Sequence, residues 1–151
     1  MRNAPQEIRT FFVTSVAHGR SPLFKKEAMA RLLLNVLQDN RAKGRLLLHE
    51  FVIMPDHFHL IITPAEDVPL EKAVQFIKGG FSFRAKKELA FGLLVWQESF
   101  TNHRIRDAQD YQRHREYIHH NPVSAGLVQK PQSTLTRRRF PGWSWTRRHQ
   151  R

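Results

Sequence analysis

The chain has 151 residues, 40% of them hydrophobic, and no cysteine, which gives room for one domain with a real core and excludes disulfides and thiolate-bound zinc. Lysine and arginine number 25 against 13 acidic residues, for a net charge of +12, so a polyanion is the natural partner, nucleic acid before an acidic membrane surface. No apolar run reaches the roughly 20 residues of a membrane-spanning helix, and the opening Met-Arg-Asn-Ala-Pro-Gln-Glu lacks the apolar core of a secretory signal; a cytoplasmic protein is expected.

Arg9 to Ala17 is rich in β-branched and aromatic residues and reads as a first strand. A loop, His18 to Pro22, leads into a helix from Lys25 to about Arg41. Its apolar stripe is Met29, Leu33, Val36 and Leu37, and Asn40 and Gly44 are its stop signals. Arg45 to Met54 is a second strand, apolar on both faces as a central strand should be. Pro55-Asp56 is too short for a helical crossover, so His57 to Thr63 should return antiparallel beside it.

Side chains two apart on a strand share a face. His57 and His59 should therefore project together, with α-carbons about 6 to 7 Å apart. Phe58, Leu60 and Ile62 should project the other way. Two imidazoles so placed can converge on one cation, or can simply be satisfied histidines beside a core.

Leu70, Val74, Ile77 and Phe81 mark a second helix to about Glu88. Gly79-Gly80 inside it costs about 1 kcal/mol per glycine relative to alanine, which suggests either a bend or a close approach. Trp96 to Ile105 is strand-like but irregular. Asp107 should cap a third helix from Ala108 to Asn121, which Pro122 should end. On that helix Tyr111 and Ile118 should face the core, leaving Tyr117 and Asn121 together on another face. The order strand, helix, strand, strand, helix, strand is that of an α+β, ferredoxin-like antiparallel sheet, with a C-terminal helix added.

Two segments carry a resemblance. Met54-Pro55-Asp56-His57-Phe58-His59-Leu60-Ile61-Ile62 resembles the His-hydrophobe-His motif of the HUH endonucleases. Tyr117 to Val128 (Tyr-Ile-His-His-Asn-Pro-Val-Ser-Ala-Gly-Leu-Val) resembles the tyrosine-helix motif of the REP-associated tyrosine transposases, and Trp96-Gln97 and Ile105-Arg106-Asp107 fit the same family. The likeness spans roughly residues 9–131. It implies a bacterial, nucleoid-associated enzyme that cuts and rejoins single-stranded DNA beside short hairpins in DNA transposition. It further implies Tyr117 as the nucleophile, forming a 5′-phosphotyrosine. His57, His59 and Asn121 become ligands of Mg²⁺ or Mn²⁺.

On this reading residues 1–130 form the transposase domain and 131–151 a basic tail. Lys78, Arg84, Lys86, Lys87, Arg104 and Arg106 are candidates to track the DNA backbone. Arg137, Arg138 and Arg139, interleaved with Trp143 and Trp145, have the composition of a single-strand clamp. The remaining histidines (18, 49, 103, 114, 119 and 120) read as surface or packing residues, with a supporting role open for His120. Glu50 and Asp56 are within reach of the histidine pair, and Asp56 also suits a turn. Histidine-triad hydrolases would require a histidine where Ile61 stands, and two-histidine phosphodiesterases would require two His-x-Thr motifs. The stronger alternative is a domesticated relative that binds structured single-stranded DNA or RNA without cutting it.

Overall fold

The computed structural model describes residues 9–124, and side chains through residue 120. Among the described residues four strands and three α-helices occur in order: β1 Phe11–Val16, α1 Glu27–Ala42, β2 Leu46–Ile53, β3 His57–Pro64, α2 Leu70–Leu89, β4 Thr101–Arg104 and α3 Ala108–Ser124, with two short 3-10 turns, His18–Arg20 and Leu23–Lys25, between β1 and α1. The strands form one antiparallel sheet in the order β2-β3-β1-β4. This is the ferredoxin-like α+β arrangement, and the C-terminal helix is present.

One face of the sheet carries Val13, Phe58, Leu60 and Ile62, all at 0% exposure. Under them lie Leu33 and Leu37 of α1 and Ile77 and Phe81 of α2, also fully buried. Phe24, Phe58 and Phe81 each meet the Trp96 ring at 5.4–5.7 Å, and its indole N–H donates to the carbonyl of Lys78 at 2.9 Å. Each such side chain removed from water stabilises the fold by about 1.5–3 kcal/mol. The helix α2 runs unbroken through its glycine pair. A Cβ at Gly80 would sit 3.6 Å from Val36 on α1, an ordinary contact, so the α1–α2 packing does not demand glycine there.

The other face is covered by α3, whose Ile118 is fully buried and which packs on β2 and β3. Two expectations change here. First, β2 is an edge strand, not a central one. It is apolar on both faces because α1 covers one side and α3 the other. Second, Pro122 does not end α3, which continues to Ser124. A proline so near the helix end removes one backbone donor but leaves the residues after it free to keep helical angles.

A bulge in β2 sets the direction of one buried carboxylate. Leu48 pairs with Ile62, but Glu50 pairs with Ile61, so His49 is an extra residue in the ladder. Without it Glu50 would share the face of Leu46 and Leu48, because side chains alternate. With it, Glu50 turns towards α3.

Candidate functional site

The site lies between the α3 face of the sheet and α3 itself. Thr14 on β1 and His59 on β3 are direct cross-strand partners. Their side chains meet at 2.7 Å, Thr14 Oγ1 to His59 Nδ1. His59 is 5% exposed, and its Nε2 is buried with no hydrogen-bond partner among the described residues. Burial, then the neighbouring charge of His57, pushes its pKa down to about 3, so the ring is neutral at physiological pH.

His57 projects to the same side, and the two imidazoles stand 4.8 Å apart, edge to face. The Nδ1–H of His57 donates to Asp56 Oδ1 at 2.6 Å. Asp56 also receives Arg20 at 3.0 Å. Burial alone would raise the Asp56 pKa, but the hydrogen bonds and charges of His57 and Arg20 outweigh it and hold the carboxyl below its usual range. Asp56 is thus both the turn residue and the partner that orients His57.

Tyr117 faces this pair from α3. Its ring is 5.3 Å from His59 and 5.9 Å from Phe12, and it is 53% exposed. Phe12, Thr14, His59, Arg113, His114 and Tyr117 line an open cavity of about 390 Å³. The helix places them by its period: Arg113 and His114 are one turn before Tyr117. Asn121 lies one turn after it within α3, but its side chain falls outside the described residues.

The histidine pair suits a divalent cation. Both rings have Nδ1 engaged, by a carboxylate and a hydroxyl, which leaves Nε2 of each as the nitrogen a cation could take, and such partners orient histidine ligands. The Nε2 of His59, without a partner among the described residues, is the specific sign, since a buried polar atom is normally satisfied.

Two buried carboxylates hold α3 in place. Glu50, fully buried on β2, takes His119 Nε2 at 3.0 Å and lies 3.4 Å from Arg115 Nε. These two residues flank Tyr117 by two positions on either side, so they face the sheet while Tyr117 faces the cavity. Asp110, 1% exposed at the start of α3, gathers His103 Nε2 at 2.8 Å, the Arg106 backbone N–H at 3.0 Å, Arg113 at 3.1 Å and His114 Nδ1 at 3.2 Å. Burial would raise its pKa, yet the hydrogen bonds from His103 and Arg106 and the charges of His103 and His114 bring it down to about 2. Asp107 Oδ1 caps the helix by accepting the Asp110 N–H at 2.7 Å.

His103 and His114 are therefore not isolated surface or packing residues. Their rings stack at 4.6 Å. With Asp110 they offer three ligand atoms within 4.8 Å of one another, a spacing that would suit a divalent cation. Against that, the Asp110 oxygens already accept from Arg106 and Arg113, and those cationic neighbours oppose a metal. The trio reads as a hydrogen-bonded cluster. His119 pairs with Glu50, and His120 sits exposed with Nδ1 near the Glu116 carbonyl at 3.2 Å.

The expected DNA-binding residues divide by location. Arg104 ends β4, and Arg106 stands 3.7 Å from Asp110 beside the start of α3. Lys78, Arg84, Lys86 and Lys87 are on α2, on the opposite side of the sheet from Tyr117. There Lys78 donates to the Gln97 carbonyl, and Arg84 pairs with Asp39 at 2.8 Å and Glu88 at 2.7 Å. Arg137, Arg138, Arg139, Trp143 and Trp145 lie outside the described residues, as does the boundary at residue 130. Arg113 and His114 were missed by sequence reasoning. Their spacing of four and three residues from Tyr117 was the available signal.

The family model "Transposase IS200 like" matches residues 9–121. A REP-associated tyrosine transposase of Escherichia coli K12 is 30% identical over 124 residues, covering 80% of this chain and 69% of that one. A Haemophilus influenzae relative is 33% identical over 87 residues, 51% of this chain, and the chain spans about half of its length, 49%. The structure of a REP-associated tyrosine transposase bound to a REP hairpin superposes with a TM-score of 0.70 at 26% identity, covering 84% of this chain and 74% of that one.

Proposed function

The chain belongs to the IS200-like transposase family, whose tyrosine transposases are enzymes, and we propose that it nicks and rejoins single-stranded DNA beside a REP-like hairpin through Tyr117. The observation that carries this is the exposed Tyr117 ring standing 5.3 Å from His59, over a buried imidazole nitrogen that has no partner among the described residues.

Tyr117 supplies the nucleophile. Its oxygen attacks the scissile phosphorus, the 3′ oxygen leaves, and the 5′ phosphate is held as a phosphotyrosine. The bond energy is retained, so a 3′ hydroxyl can reverse the step without a nucleotide cofactor. A neutral phenol attacks a phosphodiester poorly unaided. A divalent cation, Mg²⁺ or Mn²⁺, held by His57, His59 and Asn121, would polarise that phosphate and neutralise its developing charge. Thr14 and Asp56 fix the two imidazoles. Phe12 gives the cavity an apolar wall against which a base or sugar can pack. Arg113 offers a cation at the mouth for a flanking phosphate, and the basic chain as a whole attracts the strand.

The test is a labelled single-stranded hairpin oligonucleotide incubated with the protein and Mn²⁺, then run on a denaturing gel. A covalent adduct is expected from the unaltered protein and none from Tyr117→Phe, with hairpin affinity retained. Hairpin binding by the unaltered protein without an adduct would instead favour a non-cutting binder.

A further inference from the structure

We infer that His114, held by the buried Asp110, exchanges the phenolic proton of Tyr117 during nicking and rejoining. This rests on the reading of Tyr117 as nucleophile. Three observations support it. His114 and Tyr117 share the wall of one cavity, one helical turn apart, with Phe12 touching both rings at 4.7 and 5.9 Å. The His114 Nδ1–H is committed to Asp110, 2.9 Å from its carbonyl and 3.2 Å from its carboxylate, which leaves Nε2 as the nitrogen available for exchange. Asp110 itself is 1% exposed and fixed from several sides, so the imidazole has a definite tautomer and a nearby negative charge to stabilise its cation. This is the Asp–His logic of a general base serving a hydroxyl nucleophile.

His59 also stands beside Tyr117, but its Nδ1 is taken by Thr14 and its Nε2 is a proposed metal ligand; His120, one turn on, is exposed and does not line the cavity. His103, stacked on His114 from β4, spends its Nε2 on the same carboxylate.

In the nicking step the Tyr117 oxygen forms its bond to phosphorus while the phosphorus–O3′ bond breaks. The phenolic proton passes to His114 Nε2, directly or through one water, and the departing 3′ oxygen takes a proton from solvent water. On rejoining, the 3′ hydroxyl attacks phosphorus and loses its proton to solvent. The phosphorus–tyrosine bond breaks, and imidazolium returns its proton to the phenolate.

The experiment is single-turnover adduct formation on the hairpin oligonucleotide with Mn²⁺, using the full chain. Unaltered protein and Tyr117→Phe establish the nucleophile first. His114→Ala is expected to slow adduct formation about 100-fold, the lower end of general acid–base effects, at unchanged hairpin affinity. Added imidazole should restore much of the rate. His114→Gln, which keeps side-chain volume and an amide N–H for Asp110, should be slow as well. Wild-type rates in both variants overturn the inference, and so does a slow His114→Ala that imidazole does not rescue. Absence of an adduct from the unaltered protein overturns the nucleophile reading itself, a result distinct from any failure of His114.

Discussion

Thr14 and His59 face each other directly across the β1–β3 ladder, and the threonine hydroxyl fixes the imidazole through a single 2.7 Å contact to Nδ1. Thr14→Val keeps the branched shape and removes that contact. Losing a partner of this kind typically weakens metal affinity or activity about 10–100-fold. The expected result is a higher Mn²⁺ concentration for half-maximal nicking, with an unchanged circular dichroism spectrum.

The same reasoning applies to His57 through a charged partner. Asp56→Ala removes both the 2.6 Å acceptor of His57 and the ion pair to Arg20. The Arg20 side chain is 65% exposed, so that pair adds little stability. Thermal stability should change slightly while the Mn²⁺ requirement rises about tenfold or more. An Arg20→Ala control that shifted the Mn²⁺ requirement equally would locate the effect in the wrong partner.

Glu50 is the fully buried end of the link that docks α3. Glu50→Leu should leave Arg115 and His119 without their carboxylate against an apolar wall. Removing one member of a fully buried pair costs about 3–5 kcal/mol. Arg115 and His119 keep some water, with side-chain exposures of 25% and 20%, so a loss of about 2 kcal/mol is expected. Urea denaturation measures it, and hydrogen exchange in α3 should rise first.

Asp110 gives a pH prediction. Its carboxyl is held at about 2 in the fold against an ordinary 3.8. A depressed carboxyl stabilises the folded state above the unfolded value and loses that contribution as pH falls through the folded one. Unaltered protein should therefore lose more stability than Asp110→Asn between pH 4 and pH 2. Urea midpoints of the two proteins across that window check it, and parallel curves would refute it.

How much of the fold and the site can be read from residue order depends on distance along the chain. Residue spacing alone places His57 beside His59, and places Ile118 in the core with Tyr117 off it, because strand and helix periods fix which side chains share a face. The edge position of β2 is hidden because α3 folds back over it, and an edge strand covered on both sides has the apolar pattern of a central one. The turning of Glu50 towards α3 depends on the bulge at His49, which the hydrophobic pattern does not announce. The Asp110 cluster joins β4 to α3, so no single periodic element contains it. The continuation of α3 past Pro122 escapes a reading that treats proline as a terminator rather than as the loss of one hydrogen bond.

The Nε2 of His59, which has no partner among the described residues, has a consequence for folding as well as for chemistry. An unsatisfied buried acceptor holds the native state below the stability it could reach, by about 1–3 kcal/mol. Whatever satisfies that nitrogen in the folded chain alone raises the melting temperature by mass action, with about 2.7 kcal/mol gained at a hundredfold excess over the dissociation constant. The denaturation midpoint thus becomes a gauge of site occupancy that needs no DNA and no turnover. A His59→Phe protein should melt higher than the unaltered chain in chelator and show no further rise with divalent cation.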